Sequence, residues 1–104
     1  MPKAARIGDD VSTGHGCDAT TTIAGALQST VFINGIKAAV DGDALAAHTI
    51  LSGSVCVAHS AVVNNGSKTV FIEGIKAARK DDSADADKIT GGSDNVFIGG
   101  ESIA

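Results

Sequence analysis

The chain has 104 residues, with three Phe, no Trp or Tyr, thirteen Gly and one Pro. That is enough for one domain with a thin apolar core, which points to added support from a metal, a disulfide or a partner. A net charge of −4 and a pI near 5.1 argue against nucleic-acid binding by charge, and no apolar run approaches the ~20 residues of a membrane helix.

The N-terminus, MPKAARIGDD, carries Lys3 and Arg6 with no apolar segment behind them. No secretory signal is expected, so the product is made in the cytoplasm and leaves, if it does, by a route that reads no such signal. Lys3-Ala4-Ala5-Arg6 leads into an acidic turn, Gly8-Asp9-Asp10, and then a variable loop holding His15 and Cys17. TVFINGIKAA follows at residues 30–39. Val-Phe-Ile is strand-forming, and Asn34-Gly35 is a strong signal for a two-residue hairpin turn. The return strand runs into a second Lys-Ala-Ala and a second acidic turn, Gly42-Asp43. The alanines of residues 44–47 allow one helical turn, against β signals on both sides. A second variable loop holds His48, Cys56 and His59. TVFIEGIKAA at residues 69–78 then repeats the first phrase with one change, Asn34 to Glu73. Lys76-Ala77-Ala78-Arg79 runs into Asp81-Asp82. The acidic stretch 81–87 lacks the Gly and terminal Glu of an EF-hand and reads as a solvated loop. NVFIGG, residues 95–100, is a shortened third copy.

The chain therefore holds three units of one pattern: K-A-A-x, acidic turn, variable loop, turn, V-F-I, Gly. The expected fold is all-β, a small three-sided body of short strands and hairpins with internal pseudo-three-fold repeats. In V-F-I the Val and Ile point to one face and the Phe to the other. Phe32, Phe71 and Phe97 hold equivalent places, packing inward or against a partner. The change from Asn34 to Glu73 marks a point where the copies can differ in their outside contacts.

The three His and two Cys fall in the first two variable loops. Zinc takes four ligands of this kind in a tetrahedron, and His15, His48, Cys56 and His59 make such a set, with Cys17 in reserve. A structural zinc there would contribute on the order of 10 kcal/mol to folding. The competing readings are surface histidines and a Cys17–Cys56 disulfide. A catalytic zinc is less favoured. Four good ligands leave no open position, and the only glutamates, Glu73 and Glu101, are far from the ligands in sequence.

The segments KAARIGDD, VFINGIKAAVDGD, VFIEGIKAAR and ITGGSDNVFIGG together resemble the PAAR-repeat family, from about Pro2 to Gly100. The resemblance implies a sharp, three-sided β cone with a zinc ion held near its point by three His and one Cys, matching His15, His48, His59 and Cys56. It implies a broad base seated on a trimeric β-helical spike protein, with Phe32, Phe71 and Phe97 as candidate contacts. The assembly would cap the spike of a type VI secretion system or a contractile phage tail and pierce the target membrane. Some members carry fused toxins; residues 1–104 read as one PAAR-like domain without a fused effector, able to take cargo non-covalently. Lys3, Lys37 and Lys76 stand where the family has Pro, Val40 replaces an Arg, and Lys80-Asp81-Asp82 replaces a Gly-Asp turn. The expected role is a structural tip, not an enzyme. The alternative is a free zinc-binding module or metallochaperone.

Overall fold

The computed structural model describes residues 2–99. Its strands, in chain order, are β1 (Asp10–Ser12), β2 (Thr20–Thr22), β3 (Phe32–Ile33), β4 (Ile36–Lys37), β5 (His48–Ser52), β6 (Val55–His59), β7 (Phe71–Ile72), β8 (Ile75–Lys76), β9 (Ser83–Ala84) and β10 (Asp87–Ile89). All pairings are antiparallel, and the described residues contain no helix. Residues 44–47 form bridges, Ala44 with Val62 and Ile23 with Leu45, so the helical turn allowed by their alanines is overridden by strand pairing.

The reason for three repeats is visible at the waist. Ala5 N–H donates to the Ala78 carbonyl, Ala78 N–H to Ala39, and Ala39 N–H to Ala5, each at 3.0 Å. This closed triangle is the pseudo-three-fold axis. All three alanines have no exposed surface, so a larger side chain at any of them would have to find its room inside the core. Alternation along an extended chain then sends neighbouring residues to opposite sides of the waist. Ala5, Ala39 and Ala78 face one core, built on Val11, Ile23, Leu45, Val63, Ala84 and Ile89. Ala4, Ala38 and Ala77 face the other, built on Val40, Ile33, Ile72 and Ile98.

The first core is a closed ring of three hairpins. Each unit's return strand pairs with the next unit's outgoing strand: Ile23 with Leu45, Val63 with Ala84, and Ile89 with Val11. Closure leaves no strand edge at this level open to pairing with another chain. An acidic turn precedes each hairpin. Asp9, Asp43 and Asp82 each accept the backbone N–H three residues earlier, from Arg6, Val40 and Arg79. The preceding position has positive φ: 94° at Gly8, 94° at Gly42 and 76° at Asp81. Asp tolerates this region better than most residues, so the third unit keeps the turn despite its missing glycine.

The second core lies under the V-F-I hairpins. Ile33, Ile72 and Ile98 are buried, while Phe32, Phe71 and Phe97 are 53%, 53% and 46% exposed. The phenylalanines therefore do not pack fully inward. The Asn34-Gly35 and Glu73-Gly74 turns have positive φ at both residues, as a type I′ hairpin requires. The third V-F-I pairs instead with the N-terminal segment, Phe97 opposite Lys3, and is described only to Gly99, Gly100 lying outside the described residues.

The Asn34 and Glu73 side chains both hydrogen-bond within the chain. Asn34 receives a hydrogen bond from Ser93 Oγ and donates to Asn95 Oδ1. Glu73 accepts from the Thr30 hydroxyl and from the Ser29 and Thr30 backbone N–H groups. Each hairpin tip thus latches onto the turn before V-F-I in another unit. The two tips differ because the turns they meet differ.

Candidate metal centre

The three variable loops all leave the first core on the side away from the phenylalanines. In unit one, β1 runs through Thr13 into the loop carrying His15. In unit two, β5 and β6 form the longest hairpin, in which His48 lies directly opposite His59. In unit three, Asp85 follows the buried Ala84 at the β9–β10 turn, with φ 54°. One ligating group or pair comes from each unit.

These groups converge. His15 Nε2 lies 2.8 Å from Asp85 Oδ1, His59 Nε2 3.3 Å from the same oxygen, and His48 Nε2 2.7 Å from Oδ2. Ring centroids are 5.0 Å apart for His15–His59, 5.1 Å for His48–His59 and 6.5 Å for His15–His48. The ligand atoms of His15, His59 and Asp85 all fall within 4.8 Å of one another. The Asp85 side chain is 5% exposed and that of His48 2%, whereas His15 and His59 reach solvent.

Asp85 was hidden in a stretch that reads as a solvated acidic loop. That reading fails because the stretch folds as β9, a tight turn and β10, with Asp82 and Ala84 fully buried. Asp82 is tied to the buried Arg79 by two side-chain hydrogen bonds of 2.9 Å. Aligning the third acidic turn on the first two would have placed Asp85 at the base of a variable loop, where the His residues sit.

Cys56 is not in the cluster. Its sulfur is bonded to Cys17, so the expected His15, His48, Cys56 and His59 set is not what the structure assembles, and Cys17 is no reserve ligand. The reason is geometric. C-x-x-H would converge in a loop, but here Val55–His59 is a strand. An offset of three residues puts Cys56 and His59 on opposite faces of it. The disulfide instead ties the loop after β1 to the projecting β5–β6 hairpin. Beside it, Asp18 accepts from the Thr49 backbone and hydroxyl, and these bonds lower its pKa.

The donor types at the cluster suit a metal cation. His48 Nδ1 lies 2.9 Å from the Ala46 carbonyl, which can only accept, so Nδ1 carries a proton. Neutral His48 would therefore aim its Nε2 lone pair at a carboxylate oxygen. The alternative is imidazolium, and the Ala46 bond, opposed by burial and aided by Asp85, does raise the His48 pKa. Burial pushes the Asp85 carboxyl up, but hydrogen bonds from His15, His48 and His59 outweigh it and leave its pKa lowered. The Nε2 atoms that donate to the Asp85 carboxylate become lone-pair donors to a metal once deprotonated. A divalent metal satisfies all four groups. Imidazole and carboxylate are suitable ligands for such an ion, and an Nδ1–H bond to a carbonyl is the usual outer support of a metal-bound His. Tetrahedral arms of 2.0–2.1 Å separate ligand atoms by about 3.3 Å; the ligand atoms of His15, His59 and Asp85 already lie within 4.8 Å of one another, and His48, bonded to the other carboxylate oxygen, would move inward to complete the set.

Comparison with known families gives one result for the second half of the chain: a family model described as the PAAR motif matches residues 52–104. No curated protein matches the chain.

Proposed function

The chain belongs to the PAAR-motif family, and from this premise we propose that it is a structural tip protein capping the trimeric β-helical spike of a contractile injection machine. That machine is a type VI secretion system or a phage tail. In this reading the protein is made in the cytoplasm, joins the spike as one copy per trimer, and is delivered with it or held in the virion tail. Non-covalent cargo remains compatible with the role.

One observation carries the reading: three equivalent phenylalanines stand exposed at one end of a pseudo-three-fold body, above three buried isoleucines. A single chain with three similar faces can match the end of a homotrimer, each subunit meeting nearly the same surface. The opposite end supports the mechanical part. The molecule is elongated, 42 × 27 × 23 Å, and the β5–β6 hairpin is exposed on both faces along most of its length. At its root a zinc ion held by the His–Asp cluster would join all three units. Zinc there would supply cross-linking and not chemistry, because four protein ligands on a tetrahedral ion would leave no place for an activated water.

The test is binding to the trimeric spike protein in solution. The expected complex has one copy of this chain per spike trimer, at micromolar concentration or below. Failure of the purified, folded protein to bind the spike overturns the tip assignment.

A further inference from the structure

We propose that the metal ligands of this chain are His15, His48, His59 and Asp85, and that the site fills independently of Cys17 and Cys56. The proposal deepens the metal-binding part of the reading above and does not depend on the spike.

Four observations lead to it. First, the three His Nε2 atoms are directed at a single carboxylate at 2.7, 2.8 and 3.3 Å. Second, the His48 Nδ1 bond to Ala46 fixes that ring with Nε2 toward the cluster. Third, His48 and His59 are a directly opposed pair on one face of the β5–β6 hairpin, and Cys56, opposite Leu51, is on the other. Bringing Cys56 to the cluster would require a one-residue slip of β6, which would turn His59 away. A thiolate and His59 therefore cannot both serve the site on this strand. Fourth, Asp85 comes from the one unit that supplies no histidine. With it, every unit contributes: His15 from the first, His48 and His59 from the second, Asp85 from the third. A Cys56 ligand would leave the third unit unattached.

The division of labour follows. The metal gathers the three hairpins at their root. The disulfide acts further out, holding the projecting hairpin to the loop at residues 14–18, where Leu51 packs against Gly16. The two cross-links share the loop after β1 but no ligand atom.

The experiment loads the purified protein with zinc(II) and, separately, cobalt(II), with metal content measured after dialysis. The expected stoichiometry is one ion per chain. The cobalt spectrum should show tetrahedral visible bands without the near-ultraviolet thiolate-to-cobalt charge-transfer band. The Cys17→Ser/Cys56→Ser variant should bind zinc within about threefold of the parent. Asp85→Asn should weaken zinc by more than about a hundredfold, since even the outer partners of a ligand are worth 10- to 100-fold. Asn keeps the shape and tolerates the positive φ at this turn, and His15→Ala tests the same site from another unit should that variant misfold. A thiolate band, or loss of metal from the double Ser variant equal to that from His15→Ala, would overturn the Asp85 assignment and restore Cys56. A parent that binds neither ion overturns the site altogether. Neither outcome touches spike binding, which is measured separately.

Discussion

At the scale of single residues, the most constrained positions are among the smallest. Ala5, Ala39 and Ala78 have no exposed surface and close a hydrogen-bonded triangle through their own backbones. Their β-carbons share the space around one axis, so the site has no direction in which to yield. Ala39→Leu should therefore destabilise the protein by about 1–3 kcal/mol or more, as overpacking does in tight cores. The matched control is Ala58→Leu, on the exposed β6 strand, expected to stay within about 0.5 kcal/mol. Equal unfolding midpoints for the two variants in denaturant would show that the axis is not close-packed. The sequence made the Lys-Ala-Ala repeats obvious but not why Ala was needed. That reason exists only once three copies meet, a tertiary fact that no local pattern expresses. Asp85 is the converse case. Its neighbours Asp81, Asp82 and Asp87 made it look solvated, whereas one of them is buried against Arg79 and Asp85 itself is turned into the histidines.

At the scale of elements, the V-F-I hairpins were the most legible part of the chain. Asn34-Gly35 and the alternation around it specify a type I′ turn locally, with no help from the rest of the fold. The role of the Asn34 to Glu73 change was not legible, because it depends on which turn each tip meets. Glu73 adopts φ 51°, an uncomfortable value for Glu, and its carboxylate accepts three hydrogen bonds from Ser29 and Thr30. The Thr30 hydroxyl, then the Ser29 amide, lower its pKa from the ordinary value of 4.5. The folded form thus prefers the charged group. Its contribution to stability is complete above pH 4.5 and is lost as the pH falls through the lower folded value. Glu73→Gln should accordingly lower the melting temperature at neutral pH, and the gap to the parent should close as the solution is acidified below 4.5. A gap that stays constant from neutral pH into the acid range would mean that Glu73 acts through its turn conformation and not through its charge. The variable loops were the least legible elements. Reading Cys56-x-x-His59 as a ligand pair assumed a loop, and the segment is a strand whose two faces separate those residues.

At the scale of the whole molecule, the design problem is to give one polypeptide an end that fits three identical subunits. Repetition answers it only if the outward residues are equivalent in environment as well as in sequence. The phenylalanines meet that condition: Phe32 and Phe71 are each 53% exposed, Phe97 46%, and the isoleucine next to each is 7% exposed. Equivalence extends to the backbone, where Ala38 N–H bonds to the Val31 carbonyl, Ala77 to Val70 and Ala4 to Val96, at 3.0, 3.0 and 2.9 Å. The third relation joins the two ends of the chain, so the ring closes through Ala4 and not through another hairpin. If the spike presents three copies of one surface, each Phe meets the same pocket or ledge. Covering the exposed half of a Phe is worth about 1 kcal/mol, from 1.5–3 kcal/mol for complete burial. Phe32→Ala, Phe71→Ala and Phe97→Ala should then each weaken spike binding by roughly fivefold, and by similar amounts. The sites are separated around the axis, so the triple variant should lose about a hundredfold, the product of the three. Binding constants from titration calorimetry, with melting temperatures of the free variants as the control, test this. The control should fall by several degrees per site, because each substitution also removes the buried half of a ring, about 1 kcal/mol by the same reckoning, so binding is measured well below the lowest melting temperature. A large loss from one Phe with none from the other two would show that the chain docks on a single subunit, and the three-fold base would then be a feature of folding alone.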